Sequence, residues 1–406
     1  MFKDVQTAIH WLETQIKFTP KMDLKRMRAA VQAMNLDLTK QTKVHVAGTN
    51  GKGSVTAYLT QIFQDAGYRV GTYTSPYLVI FNERIAINHV MISDEKLLMY
   101  TNEMYQFNER FYQSFGEPLP FFELITLIAL RYFLDENVDI IIIEAGVGGL
   151  LDATNVFNYD VSLITNIGFD HMKQLGYTLE SIALNKLGIL KPKNHLITTV
   201  AKDLQPFFLQ QLSQKDVTYQ FIQSSDIDVL SRFPLCFTYL EKTFELKLLG
   251  TYQVSNAALA IEAARYLKPE IGLDSIGASL KKTVWPGRLE EIEANTYIDG
   301  AHNLPALVAL EEAFRGMDVH VLFSALQDKD IPAMLTVLER FAKTITMTSF
   351  PDPRFAPLSA FETKERQYLH DFFEAFKFLK DKRKPNELIL ITGSLHFIGY
   401  CKQVLK

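Results

Sequence analysis

Short apolar runs alternate with stretches of three-to-four-residue periodicity along most of this chain. Val44, Val46 and Ala47 form a β-prone run that ends in a loop with glycines at 48, 51 and 53, and from Ser54 the apolar positions Val55, Leu59, Ile62, Phe63 and Ala66 recur at helical spacing. The order is strand, glycine loop, helix, with one helix face predicted to be buried. Arg69 to Tyr73 predicts another strand, which Pro76 ends by removing a backbone donor, leaving a loop at Thr74, Ser75, Pro76 and Tyr77. Phe121 to Leu134 predicts an apolar helix. Val138 to Ile143 is so uniformly β-branched that it reads as a central parallel strand buried on both faces. Strands at 161–167 and 195–200 with a helix at 179–190 continue the alternation, 217–249 breaks into β-like pieces that predict a small inserted sheet, and 255–267 returns to helix. Near the start, Val5, Ile9, Leu12 and Ile16 have helical spacing, and Lys21, Lys25, Arg26 and Arg28 predict a solvated basic face.

Beyond Trp285-Pro286-Gly287-Arg288 the alternation resumes: a strand ending at Asp299, a helix from Leu304, then strand 318–325, helix 331–342, strand 344–349, helix 361–380, strand 387–392 and helix 396–405. This pattern predicts an α/β fold with a doubly wound, mostly parallel sheet carrying a P-loop over residues 1–289, and a second, smaller α/β, Rossmann-like domain over 290–406. No internal repeat or low-complexity tract is present.

Composition narrows the function. At 406 residues, 48% hydrophobic and 22% charged, the chain is long enough for two cores and is neither fibrous nor disordered. Forty-two basic against forty-six acidic residues leave a net charge of −4, which gives no basis for a nucleic-acid or membrane surface and favours a small ligand. The two cysteines, Cys236 and Cys401, make no disulfide framework, and the first fifteen residues lack a signal pattern, so a cytoplasmic protein is expected.

The candidate chemistry begins at KVHVAGTNGKGS, residues 43–54. A helix N-terminus leaving a glycine loop offers free N–H groups and the positive dipole end, and Lys52 adds a full charge on what reads as an exposed loop, which suits a nucleoside triphosphate. The strict Walker pattern is not met: Val46 replaces its first glycine and Gly53 separates Lys52 from Ser54. An ordinary glycine turn would account for the loop alone; the strand before it and the helix after it favour phosphate. Ligands in open α/β sheets collect at the carboxyl ends of strands, where this sequence delivers Glu144 with Gly146, Gly148 and Gly149, and then Asp170 and His171.

Ten stretches in order, GTNGKGS (48–54), TSPY (74–77), FNERI (81–85), EAGVGGLLDATN (144–155), IGFDH (167–171), NKLGILKP (185–192), YQVSNAALA (252–260), WPGRLE (285–290), DGAHN (299–303) and ITGSL (391–395), resemble the folylpolyglutamate synthase and dihydrofolate synthase family of the Mur-ligase superfamily. The resemblance implies an ATP-dependent amide ligase: a folate carboxylate attacks the γ-phosphate, and the amine of L-glutamate captures the acyl phosphate, releasing ADP and phosphate. It implies that Thr49, Asn50, Gly51, Lys52, Gly53 and Ser54 hold the phosphates, that Asn256, Arg288 and Asp299 belong to the ATP site, and that Ser75, Glu144 and His171 are magnesium ligands. Lys52, Lys186 and His302 take catalytic roles. Lys186 matches a lysine carbamylated in the superfamily, so that it holds a second magnesium, and Thr74 to Tyr77 form a folate loop. The C-terminal domain is implied in the ATP and glutamate sites, and the protein is expected to act as a monomer on small molecules.

Four positions depart from the family pattern: Tyr77 and Tyr252 stand where histidine is common, Leu150 where arginine is, and Asn185 where an acidic residue is frequent. They bear on the preferred folate rather than on ligation. Three other readings compete: a bifunctional enzyme that also joins L-glutamate to dihydropteroate, a ligase on another carboxylate or a cell-wall Mur reaction, and a nucleotide-binding regulatory module without chemistry. Glu144, His171 and Lys186 are all present, which disfavours the module.

Overall fold

The computed structural model describes residues 1–16 and 23–405; Lys21 of the expected basic face lies outside them. Packing divides the chain into two compact units, residues 1–226 with 256–280, and residues 227–255 with 281–406. The segments 227–255 and 281–289, placed on sequence with the first domain, therefore pack with the second unit.

The strands of the first unit are β1 (Thr42–Ala47), β2 (Val70–Tyr73), β3 (Ile85–Ile87), β4 (Val90–Met91), β5 (Ile140–Glu144), β6 (Val161–Ile164), β7 (His195–Thr198) and β8 (Thr218–Phe221). They form one sheet in the order β4-β3-β2-β5-β1-β6-β7-β8, parallel from β2 to β8 with an antiparallel edge at β3 and β4. Ile140, Ile141, Ile142 and Ile143 are all buried, as a strand covered on both faces requires. Chain connections leave β1 towards β2 and β6 towards β7, so the sheet reverses its winding between β1 and β6, the kind of switch point at whose carboxyl ends open α/β sheets bind ligands.

The helix after the glycine loop runs Lys52–Asp65, starting two residues earlier than its apolar spacing indicated. It is buried on more than one face: Thr56, Tyr58 and Thr60 are as inaccessible as Val55 and Leu59, whereas Ala66 is exposed. The helix Phe121–Asp135 buries Leu124, Ile125, Leu127, Ile128 and Phe133 completely, each contributing about 1.5–3 kcal/mol of transfer free energy. A helix not foreseen, Asp94–Phe115, begins at the Ser93 cap and ends at Gly116, and it buries Leu97, Tyr100, Thr101, Met104, Asn108 and Phe111 along one stripe.

Of the β-like pieces, 218–221 joins the main sheet as β8, while β9 (Asp228–Arg232), β10 (Leu235–Tyr239) and β11 (Lys242–Leu246) make a separate antiparallel sheet. The second unit adds β12 (Glu290–Glu293), β13 (Thr296–Asp299), β14 (Val319–Phe323), β15 (Ala342–Met347), β16 (Arg366–Tyr368) and β17 (Leu388–Thr392), in the order β12-β13-β17-β14-β15-β16 and parallel except for β12. The helix expected from 361 starts only at Phe372, because residues 366–368 pair with β15 instead. Among the described residues no helix is long and apolar enough to cross a membrane.

The N-terminal expectations need two corrections. The first helix stops at Thr14, leaving Ile16 exposed, and the basic face of Lys25–Ala33 is only partly solvated. Arg26, 13% exposed, pairs with Glu123, 2% exposed, through Nε at 2.9 Å and Nη2 at 3.1 Å. Removing one partner of such a pair leaves a buried charge short of its counterion, so Arg26→Met is expected to cost about 3 kcal/mol, read as a lowered denaturant midpoint, with Glu123→Leu added to it restoring part of the loss. A single variant as stable as the parent would contradict this.

Candidate active site

Parallel register places four strand ends side by side. Val46 of β1 lies opposite Glu144 of β5, Tyr73 of β2 opposite Ile143, and Ala47 opposite Ile164 of β6. The residues that follow, Gly48, Ser75, Glu144 and Asn166, therefore reach one edge of the sheet. Gly48 (φ 146°) and Gly51 (φ 86°) take backbone angles that other residues adopt only with strain, and a Cβ at either would collide, with the Thr165 hydroxyl or the Asn256 carboxamide. The loop is fastened from β6: Thr49 N–H donates to Asn166 O (3.0 Å), Asn50 N–H to Asn166 Oδ1 (2.9 Å), and Thr165 Oγ1 to Asn50 O (2.5 Å).

Lys52 is not on an exposed loop. It opens the helix, is largely buried, and donates to the carbonyls of Gly48 (3.0 Å) and Thr49 (3.2 Å), with its ammonium 3.7 Å from Glu144 Oε1. Glu144 Oε2 accepts from the Ser75 amide at 3.3 Å. Lys186, at the buried face of the helix Leu179–Leu187, also donates to Gly48 O, at 2.9 Å. Burial, and second to it the Lys52 charge, pushes Lys186 down from the ordinary 10.5 to about 7, against the pull of Asp170 and Asp152.

The structure thus brings together Gly51, Lys52, Ser75, Glu144, Lys186 and, against Gly51, Asn256. His171 follows β6 in the left-handed region (φ 49°), with its N–H on Asp170 Oδ1. Among the described residues no three His, Cys, Asp or Glu side chains form a ready-made metal cluster. Glu144 and Ser75 carry the oxygen-bearing side chains of these strand ends. Gly53 and Ser54 are buried in the first helical turn.

Arg288, Asp299 and His302 lie in the second unit and form a constellation of their own. Asp299 Oδ2 accepts from Leu289 N–H (2.9 Å) and Tyr252 Oη (3.2 Å), and Oδ1 accepts from Ala301 N–H (2.9 Å). Burial raises Asp299, with the Arg288 charge and those three donors opposing. His302 Nδ1 donates to Gly300 O at 2.8 Å, which orients the ring, and Asn303 caps the helix Leu304–Ala313.

Two supporting residues were not singled out on sequence. Asp152 Oδ2 accepts from Gly146 and Val147 N–H, both at 3.0 Å, and so fixes the loop that follows Glu144; Asn166 fastens the glycine loop. Both fall within or beside quoted motifs, but only the fold shows what they bind.

The Mur ligase middle domain family model matches residues 46–264, more than half of the chain. The dihydrofolate synthase/folylpolyglutamate synthase of Bacillus subtilis is 37% identical, with 100% of both chains covered. The folylpolyglutamate synthase of Mycobacterium tuberculosis, solved with ADP and AMPPCP, superposes with a TM-score of 0.87 at 27% identity and 98% coverage of each chain. A bifunctional folylpolyglutamate synthase/dihydrofolate synthase with manganese, AMPPNP and L-glutamate bound gives 0.83 at 25% identity, covering 99% of this chain and 98% of that one. The chain belongs to the folylpolyglutamate synthase/dihydrofolate synthase family of Mur ligases, which join L-glutamate to folates at the expense of ATP.

Proposed function

We propose that this chain is an ATP- and magnesium-dependent ligase extending the carboxylate of a reduced folate with L-glutamate, and that the residues converging on Gly48 carry the phosphoryl transfer. The observation behind this reading is the placement of Lys52, Lys186 and Glu144 around one strand end, two of them on the same carbonyl oxygen.

The loop amides from Thr49 to Ser54 and the Lys52 ammonium would bind the phosphates of ATP, with Asn256 beside Gly51 at the nucleotide. Ser75, Glu144 and His171 would hold magnesium, which when bound neutralises charge building on the transferred phosphoryl group. The folate carboxylate oxygen attacks the γ-phosphorus and ADP leaves; the glutamate amine then attacks the acyl carbon, and phosphate leaves as the amide forms. Thr74 to Tyr77 would line the folate side. Arg288 and Asp299 would belong to the ATP site, Asp299 through the backbone it anchors, and His302 would take a catalytic role.

Lys186 would act as a carbamate that holds a second magnesium. Its neutral Nζ bonds to the carbon of carbon dioxide and loses one proton to water, replacing an ammonium by an anion. The lowered value near 7 supports this, since about half the amines then carry a lone pair at neutral pH, against roughly one in three thousand for an ordinary lysine. We further infer that the protein works in the cytoplasm as a monomer, the latter testable by light scattering.

Purified protein with ATP, magnesium, labelled glutamate and either tetrahydrofolate or dihydropteroate tests the function. Label in a tetrahydrofolate product with matching ADP and phosphate supports it; label with dihydropteroate as well makes the enzyme bifunctional; ATP turnover without label in either product overturns it. Lys52→Ala should lose about 3 kcal/mol of transition-state stabilisation, and also roughly 1 kcal/mol of stability because two loop carbonyls lose their donor. Activity within a few-fold of the parent would remove the loop from the mechanism. Glu144→Gln and His171→Ala should each shift the magnesium titration to higher concentration, and curves that overlay the parent would place the metal elsewhere.

The Lys186 assignment predicts a pH profile. Below about pH 7 the amine is protonated and cannot react; above it the lone pair is available. At fixed pressure of labelled carbon dioxide, the carbamate ¹³C signal should be at least about tenfold weaker at pH 6 than at pH 8 and absent in Lys186→Ala. Lys186→Ala should also be nearly inactive and partly rescued by a short carboxylic acid. Full activity of that variant would overturn the role.

A further inference from the structure

The FNERI stretch has a use for each of its polar side chains except one. Asn82 donates to Ile92 O (2.8 Å) and Asp94 Oδ1 (2.9 Å). Glu83 accepts from three successive amides, Leu78 (2.6 Å), Val79 (3.0 Å) and Ile80 (3.0 Å), and so pins the segment that follows the Thr74–Tyr77 loop. Arg84 differs. Its side chain is more than nine-tenths buried, yet its Nε, fully out of solvent, meets no hydrogen-bond partner among the described residues. What surrounds the guanidinium is aromatic: the ring centroids of Tyr77, Phe81 and Phe121 lie 5.0, 5.5 and 5.5 Å from it.

A guanidinium has five donors and no acceptor, and burying it without an oxygen partner is costly, because the rings return only a fraction of its hydration. Its position gives the cost a purpose. Arg84 O accepts from Thr74 N–H at 2.9 Å, one residue before Ser75, whose amide bonds the Glu144 carboxylate. The Arg84 backbone therefore lies at the carboxyl end of β2, on the sheet edge that carries Glu144. Glu13 of the first helix, whose charge acts on Arg84, already accepts from the Tyr77 hydroxyl at 3.1 Å.

We propose that Arg84 is the carboxylate-recognition residue for the acyl-donor substrate. The guanidinium fork takes the carboxylate of an aromatic acid, the rings of Tyr77, Phe81 and Phe121 wall the site, and Glu83 holds the loop in place before the ligand arrives. A planar bidentate donor matches a carboxylate, and aromatic walls match an acid with a planar ring system better than they match free glutamate. This rests on the folate reading above.

The test is binding without turnover, by fluorescence titration of the full chain with folate, with its bis-amide in which both carboxylates are neutral, and with AMPPCP. For Arg84→Met the folate Kd should rise about thirtyfold, while the bis-amide and AMPPCP values stay within about threefold of the parent; Arg84→Lys should recover part of the folate affinity. An unchanged folate Kd overturns the proposal. So does an equal loss for folate and bis-amide, which would make Arg84 a brace for the loop. Should Arg84→Met fail to fold, Arg84→Lys and the parent still decide: a parent that binds folate and bis-amide equally excludes carboxylate recognition. A parent that binds neither overturns the folate reading itself, which is a different outcome from Arg84 proving indifferent.

Discussion

Two lysine ammonium groups on one carbonyl oxygen set the terms for this site. Lys52 and Lys186 reach Gly48 O at 3.0 and 2.9 Å, one from the start of a helix and the other from a helix on the far side of the loop. Such proximity of like charges in a desolvated place is unfavourable, and the protein relieves it in two ways. Glu144 lies within ion-pair distance of Lys52, and burial and the Lys52 charge push Lys186 down to about 7, so that part of it sheds its charge at neutral pH. A polyanion arriving at the loop would find one fixed cation, a row of amides and a second nitrogen ready to change its charge.

This arrangement depends on the sheet beneath it. Because β2, β5, β1 and β6 are parallel neighbours, their carboxyl ends deliver Ser75, Glu144, Gly48 and Asn166 to one edge without long loops. The two glycines of the loop are required where they stand, since side chains there would meet Thr165 and Asn256. Rigid strand ends of this kind suit phosphoryl transfer, in which positioning and charge stabilisation make up most of the catalysis.

Much of the fold was legible because its strands are continuous β-branched runs and its glycine loop stands between a strand and a helix. What escaped has physical reasons. The helix Asp94–Phe115 buries a stripe that includes Tyr100, Thr101 and Asn108, side chains that an apolar template does not count. Residues 366–368 pair with β15 through backbone bonds that side-chain periodicity does not mark. Lys25–Ala33 read as a solvated face because Glu123, the acid that buries Arg26, is 97 residues away in sequence. In the site, residue identities carried the motif, but the sharing of Gly48 O, the bracing by Asp152 and the near-neutral Lys186 are properties of three-dimensional approach. Tyr252, a departure from the family pattern, proves to bond Asp299 directly.

In the proposed reaction a carboxylate oxygen of the substrate attacks the γ-phosphorus at this loop. Folate carrying ¹⁸O in its reacting carboxylate tests it most directly, with the released nucleotide and phosphate examined by mass spectrometry. One ¹⁸O is expected in inorganic phosphate for each amide formed, and none in the nucleotide. Label in AMP, or amide formation with no label in phosphate, would contradict it.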